Sequence, residues 1–177
     1  EGASPPAAVL HLESAGSTHP GKVRSENQDA YVAQPECGLW VVADGMGGHS
    51  EGHVASRMVC DALAAIGPQP SLAAGVKAVQ DALAHVNGYL YSMSRREVHP
   101  VVSGTTVVAL RVQGTRGACL WAGDSRLYRL RDDVLEQLSL DHSEEVEGAA
   151  AAGMSPRPNV ITRAIGGCDG LEVEHLA

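Results

Sequence analysis

The strongest pattern in the chain is an apolar stripe of helical spacing in its first half. Apolar residues recur there at steps of three and four residues, at Val76, Val79, Leu83, Val86, Leu90 and Met93. This period places the apolar side chains on one face of a helix. We therefore predict a helix whose striped face packs on the core. Residues 50–66 predict an earlier helix, which ends at the stop signal Gly67-Pro68.

Short apolar runs elsewhere predict strands. A first strand is expected around Leu10 and Leu12, and later ones at residues 30–33, up to Asp44, and at 106–112, 118–122, 127–130 and 134–138. Short turns between the last four predict an antiparallel meander. Residues 143–158 are rich in Ala, Gly and Pro and predict a flap or short helix, followed by an extended segment at 160–165. Helices followed by a meander indicate an α+β fold, and 177 residues suit one domain.

Composition narrows the classes of function. The 21 acidic and 13 basic residues give a net charge of -8, and the chain has no Phe. A general nucleic-acid surface needs basic patches and stacking rings, so nucleic acid is not an expected partner. No apolar run approaches the roughly 20 residues of a membrane span. The four cysteines form no CxxC pair. We expect buried free thiols in a reducing compartment, and hence a cytoplasmic location. A monomer is also expected.

Candidate chemistry begins at residues 41–48, where an apolar run leads into Asp44 and three glycines. An ordinary Asp-Gly turn would explain this segment alone. However, Asp29 and Asp124 also stand at strand ends beside small residues. If the three converge, their mutual repulsion raises their pKa values or requires a cation between them, and ligation by oxygen alone favours Mg²⁺ or Mn²⁺. Three unrelated Asp turns are the alternative interpretation. Arg24 is either a solvated surface residue or a residue whose guanidinium binds two phosphate oxygens at once.

Six short motifs carry a family resemblance. In chain order they are RSENQD (24–29), VADGMGGH (42–49) with VAS (54–56), SGTT (103–106), AGDSR (122–126), LSLDHS (138–143) and ITRAIG (161–166). In this order the chain resembles the type 2C metal-dependent serine/threonine protein phosphatases of bacteria. The runs WAGDSRLYRLR and ITRAIGG are similar to the branch associated with type VI secretion clusters.

The resemblance implies a four-layer α/β/β/α sandwich of two antiparallel sheets flanked by helices. It implies hydrolysis of phosphoserine and phosphothreonine in proteins by a metal-activated water, opposing a serine/threonine kinase. Two to three Mn²⁺ or Mg²⁺ ions are implied.

By the same resemblance, Asp29 and Asp44 ligate metal and Gly45 offers its carbonyl. Asp124 helps to hold a third ion, and Arg24 binds the substrate phosphate. Because the nucleophile is then water, no hydroxyl of Ser103, Thr105 or Ser125 is expected to attack the substrate. None of these hydroxyls has a matching His-acid pair in the sequence.

The chain departs from the family pattern in its last residues. Family members continue into an apolar strand with a Ser-Asp-Gly motif and later an Asp-Asn motif, each of which supplies a metal ligand. The segment 168–171 is similar to the first motif, but no apolar strand precedes it, so Asp169 is not assigned as a ligand. We therefore expect a catalytic domain whose C-terminal strands are missing from this chain, or an omission within the flap. The alternative is a non-catalytic, phosphatase-like binding or regulatory module without a complete metal site.

Overall fold

Three α-helices, one 3-10 helix (Pro35–Cys37) and eight strands are seen in the computed structural model, which describes residues 10–47, 51–95, 103–147, 157 and 160–177. The helices are α1 (Glu51–Ala64), α2 (Leu72–Ser94) and the single turn α3 (Glu144–Glu147). The strands are β1 (Asp29–Gln34), β2 (Leu39–Met46), β3 (Gly104–Thr105), β4 (Val107–Gln113), β5 (Arg116–Ala122), β6 (Tyr128–Arg131), β7 (Val134–Gln137) and β8 (Glu174–Leu176).

One antiparallel sheet organises the molecule. Its strands run in the order β1-β2-β4-β5-β8, and β3 pairs with the end of β2. The hairpin β6-β7 forms a second, two-stranded sheet. Asp132 and Asp133 at its turn have φ angles of 51° and 60°. Positive φ at both central residues is typical of the type I′ turn, whose twist matches that of the flanking strands.

The main core lies between this sheet and the two long helices. Leu39, Val41 and Ala43 alternate along β2 with exposures of 0%, 1% and 0%, and face the helices. The stripe of α2 is buried at Val79, Leu83, Val86 and Leu90. Burial of one such side chain contributes roughly 1.5–3 kcal/mol. The helix begins at Ser71, whose hydroxyl accepts a hydrogen bond from the N–H of Ala74 at 3.1 Å.

Most predicted elements are confirmed, including the mixed α+β fold with antiparallel sheets flanked by helices. The strand predicted at Leu10 and Leu12 is wrong, because this alternating segment pairs with no strand among the described residues and Leu10 is 48% exposed. The buried stripe of α2 also stops at Leu90, since Met93 in its last turn is 46% exposed. Strands β3 and β8 were not predicted, because such short strands exist only through pairing with β2 and β5.

The cysteines are free thiols, as predicted. Burial raises the pKa of Cys60 to about 12 and that of Cys119 to about 11, whereas Cys168 is exposed. In the described part of the chain, no helix is both long and apolar enough to cross a bilayer.

Candidate active site

Two aspartates face each other across neighbouring strands. Asp29 opens β1 and lies directly opposite Asp44 of β2 in the antiparallel register. Opposed residues of such a pair project from the same face of the sheet, with Cβ atoms about 4.5–5.5 Å apart. Partial burial, together with the charge and hydrogen bonding of Asp29, raises the pKa of Asp44 to about 6. Asp44 therefore releases its proton at a higher pH than an ordinary aspartate does.

Two further predicted residues act on the same carboxylate. The negative charge of Asp124 raises the pKa of Asp44, and the positive charge of Arg24 lowers it. Arg24, Asp44, Gly45 and Asp124 all line one open cleft of about 1150 Å³. The structure thus brings the predicted site residues together, with Asp29 on the strand beside the cleft.

Thr106 joins the two acid-bearing segments. Its Oγ1 accepts a hydrogen bond from the N–H of Asp44 at 3.2 Å and lies 2.6 Å from Oγ of Ser125. The N–H of Thr106 donates to the carbonyl of Asp44 at 2.9 Å. Asp44 is therefore fixed on both sides of its Cα, and Asp124 is tied to the same residue through its neighbour Ser125.

The start of α1 packs directly on the end of β2. A Cβ added to Gly52 would lie 2.8 Å from the carbonyl carbon of Gly45 and 2.9 Å from the N of Met46. Only two glycines allow backbones to approach this closely. In addition, Ser56 of α1 donates a hydrogen bond to the carbonyl of Gln28 at 2.6 Å. The helix therefore positions both the glycine after Asp44 and the residue before Asp29.

A buried histidine supports the turn that carries Asp124. Nδ1 of His142 accepts a hydrogen bond from the N–H of Gly123 at 3.1 Å, and the N–H of His142 donates to the carbonyl of Gly123 at 3.0 Å. Its ring stacks on Trp121 at 6.2 Å between centroids. Nearby, Arg126 binds both carboxylate oxygens of Asp141.

These supporting residues were not assigned roles from the sequence, although they lie within the quoted motifs. For Thr106, the signal that could have identified it is a polar residue at a strand end, because Thr106 directly precedes β4. His142 lies in the loop after β7, beside the buried Ser139 and Asp141, where this signal does not apply.

The flap region borders the cleft. Val160 and Ile161 line it, and Ile161 pairs with Ser143 in an isolated β-bridge. Arg163 forms an ion pair with Glu147 at 2.8 Å. The base of the predicted flap is thus fixed beside the cleft, whereas residues 148–156 lie outside the described part of the chain.

The hydroxyls that were excluded as nucleophiles make structural contacts. Oγ of Ser103 donates to the carbonyl of Glu51, Oγ1 of Thr105 donates to the carbonyl of Thr106, and Ser125 contacts Thr106. Asp169 does not line the cleft. Its carbonyl lies 3.4 Å from the amide nitrogen of Asn87 on α2.

The residues of the cleft fit a hard divalent cation. Carboxylate oxygens of Asp29 and Asp44, which repel each other, are the ligands that Mg²⁺ and Mn²⁺ prefer. Within the described ranges, no group of three or more His, Cys, Asp or Glu side chains is spaced to hold one ion.

Comparison with known proteins gives concordant results. The profile of the protein phosphatase 2C family matches residues 16–160. The chain is 30% identical over 171 residues to "Serine/threonine phosphatase stp" of Listeria innocua, covering 89% of this chain and 68% of that protein. It is 36% identical over 142 residues to "Serine/threonine protein phosphatase PstP" of Mycobacterium tuberculosis, covering 75% of this chain and 26% of that protein.

Solved structures extend the similarity to the fold. The structure described as "PppA, a key regulatory component of T6SS in Pseudomonas aeruginosa" superposes with a TM-score of 0.81 at 44% identity, over 90% of this chain and 68% of the other. The Mycobacterium tuberculosis phosphatase PstP/Ppp gives a TM-score of 0.73 at 30% identity, over 90% of this chain and 70% of the other.

Proposed function

This chain belongs to the protein phosphatase 2C family, and we propose that its cleft hydrolyses phosphoserine and phosphothreonine in proteins with the help of Mn²⁺ or Mg²⁺. The observation that carries the proposal is the opposition of Asp29 and Asp44 on neighbouring strands, with Asp44 lining one cleft together with Asp124 and Arg24. Such a set combines oxygen ligands for cations with a guanidinium for a phosphate.

Each residue of the cleft has a distinct task in this proposal. Asp29 and Asp44 hold the ions with the Gly45 carbonyl, and Asp124 helps to hold a third. When bound, the ions supply Lewis-acid activation of a water for attack on phosphorus. Arg24 binds phosphate oxygens as a fork and orients the phosphoryl group. The openness of the cleft to solvent suits a side chain presented by a protein substrate.

We further propose a regulatory setting for this activity. A protein phosphatase acts on products of protein kinases, so the enzyme opposes a serine/threonine kinase in the cytoplasm. The similarity to the Pseudomonas aeruginosa protein described as a regulator of T6SS supports a role in type VI secretion. Val160 and Ile161, which follow the predicted flap and line the cleft, would then contribute contacts to the substrate.

Metal binding tests the site directly. We expect Mn²⁺ titration, followed by electron paramagnetic resonance, to give an affinity that falls at least about tenfold in Asp44→Asn, because a charged ligand is lost. Asp133→Asn is the matched control, since Asp133 lies in the β6-β7 turn and asparagine tolerates its positive φ. Equal affinities in the two variants would refute the site.

Activity is measured on the same proteins. Hydrolysis of a phosphothreonine peptide should require Mn²⁺ or Mg²⁺, stop in excess EDTA and fail in Asp44→Asn. Turnover that persists in EDTA would exclude the metal-assisted reaction. Loss of both metal binding and hydrolysis in the unaltered protein would instead support the non-catalytic module without a complete metal site.

A further inference from the structure

Arg111 is a charged residue on the core side of the main sheet. It follows Val107 and Ala109 in alternation along β4, on the face that packs against the helices, and it is only 3% exposed. An apolar side chain is expected at such a position. A guanidinium there costs free energy unless another group compensates its charge.

Two of the three guanidinium nitrogens, Nε and Nη1, are buried and have no hydrogen-bond partner within the described part of the chain. Nor does any ion pair found among the described residues include Arg111. A buried charge without partners is costly, and native structures satisfy such groups almost without exception.

The neighbouring helix adds to the positive potential. Arg111 packs against Gly75 in the first turn of α2, and a Cβ added to Gly75 would lie 2.9 Å from Nε of Arg111. The N-terminal end of a helix carries a partial positive charge, and α2 extends from Leu72 to Ser94. Because Gly75 has no side chain, the guanidinium of Arg111 can lie against the N-terminal end of α2. Its charge and that of the helix end have the same sign, and both favour an anion.

A second cavity opens onto this position. Arg111 lines a space of about 360 Å³ that shares no lining residue with the cleft of the candidate active site. Gln113, two residues further along the same face of β4, also lines it, and its Oε1 is buried without a partner among the described residues. Nε2 of Gln113 donates to the carbonyl of Gln69 at 3.1 Å, which sets the orientation of the amide. Glu36 lines the cavity from its exposed rim.

We propose that this cavity is a binding site for a small oxyanion that also carries a hydroxyl, of the class of hydrogen phosphate or a hydroxycarboxylate. Arg111 supplies charged N–H donors, and Oε1 of Gln113 accepts the hydroxyl. The site is separate from the active-site cleft and does not depend on the phosphatase activity.

Calorimetric titration with inorganic phosphate at pH 7 tests the proposal. The protein is kept free of metal and carries Arg24→Ala, so that phosphate cannot bind at the first cleft. We expect saturable binding that weakens at least about tenfold in Arg111→Met, because charge-assisted hydrogen bonds are lost. Arg131→Met is the control, since Arg131 is an exposed arginine at the end of β6 and should leave binding unchanged. Absence of saturable binding, or equal binding in Arg111→Met, would overturn the site.

Two further measurements sharpen the test. Sulfate has the charge but no hydroxyl at this pH, so it should bind more weakly than phosphate; equal binding would overturn the assignment of Gln113. In phosphate-free buffer, Arg111→Met should keep or raise the urea midpoint, because it removes an unpaired buried charge. A lowered midpoint would show that Arg111 already has a partner within the protein and would overturn the proposal.

Discussion

Thr106 shows how one hydroxyl positions several acids. The residue is fully buried, and its Oγ1 contacts both the N–H of Asp44 and the hydroxyl of Ser125, beside Asp124. Neither carboxylate touches Thr106 through its own oxygens in these contacts. Thr106 is therefore a positioning residue, which keeps two segments far apart in sequence at a fixed separation.

Replacing Thr106 with Val should loosen this arrangement while preserving side-chain volume. We expect the free energy of unfolding to fall by about 1–3 kcal/mol, because the N–H of Asp44 and the hydroxyl of Ser125 lose a partner. Mn²⁺ affinity should fall as well. Urea unfolding and Mn²⁺ titration measure the two effects. Thr115→Val, in the exposed β4-β5 turn, is the control and should change neither. Unaltered Mn²⁺ affinity in the Thr106 variant would show that Thr106 does not position the acids.

At the scale of elements, α1 is joined to β2 by backbone contact. Gly52 of the helix and Gly45 of the strand leave no room for a methyl group between them. By contrast, Gly88 lies in the exposed middle of α2 with nothing near its missing Cβ. Gly52 is therefore required for the close approach of α1 to β2, whereas Gly88 has no packing role.

This contrast predicts opposite effects for the same substitution. Gly52→Ala should lower the free energy of unfolding by about 1–3 kcal/mol, because the added methyl forces α1 away from β2. Gly88→Ala should raise it by roughly 0.5–1 kcal/mol, because alanine restricts the unfolded chain and favours helix. Urea denaturation of both variants measures this difference. Destabilisation by both, or by neither, would contradict the packing described for α1.

An element could be predicted when its own residues determine it, and not when a distant strand does. The apolar stripe of α2 follows from the spacing of its own residues, so the helix was predicted. The prediction of a strand at Leu10 and Leu12 was wrong, because an alternating apolar pattern forms a strand only when the segment pairs with a neighbouring strand. Strand β8 was missed for the converse reason, since pairing with β5 makes a strand of Glu174–Leu176.

The site followed the same rule. Asp29, Asp44, Asp124 and Arg24 were predicted from strand ends and from the family resemblance. Their proximity became visible only in the structure, through the register of β1 on β2 and the charges that act on Asp44. The unpartnered guanidinium of Arg111 could not be predicted, because a strand pattern does not reveal what surrounds a side chain in three dimensions.

At the scale of the whole molecule, one core connects the sheet, both long helices and the segment after the flap. Ile165 is fully buried in that core together with Leu63 of α1 and Leu83 of α2. Asn87 of α2 binds the following segment through the N–H of Gly166 at 2.7 Å and the carbonyl of Cys168 at 3.0 Å. These contacts make the unfolding of helices and sheet a joint event.

The cysteines report on this cooperativity. We expect Cys168, which is exposed, to react rapidly with a thiol reagent in the native protein. Cys60 and Cys119 should react only as fast as the molecule opens, because burial and pKa values of about 12 and 11 suppress the thiolate. Mass spectrometry of timed labelling separates the sites. In urea all four should react alike. Rapid native labelling of Cys60 would contradict a common core.

The opposition of Asp29 and Asp44 also links ion binding to correct strand alignment. A slip of one residue between β1 and β2 would place Asp29 against Ala43 or Gly45 and turn its carboxylate to the other face of the sheet. An ion that binds both carboxylates therefore binds one alignment and not its neighbours. By mass action it favours that alignment by RT ln(1 + [M]/Kd). A bound metal would thus select the correct alignment of β1 on β2 during folding, before any substrate binds.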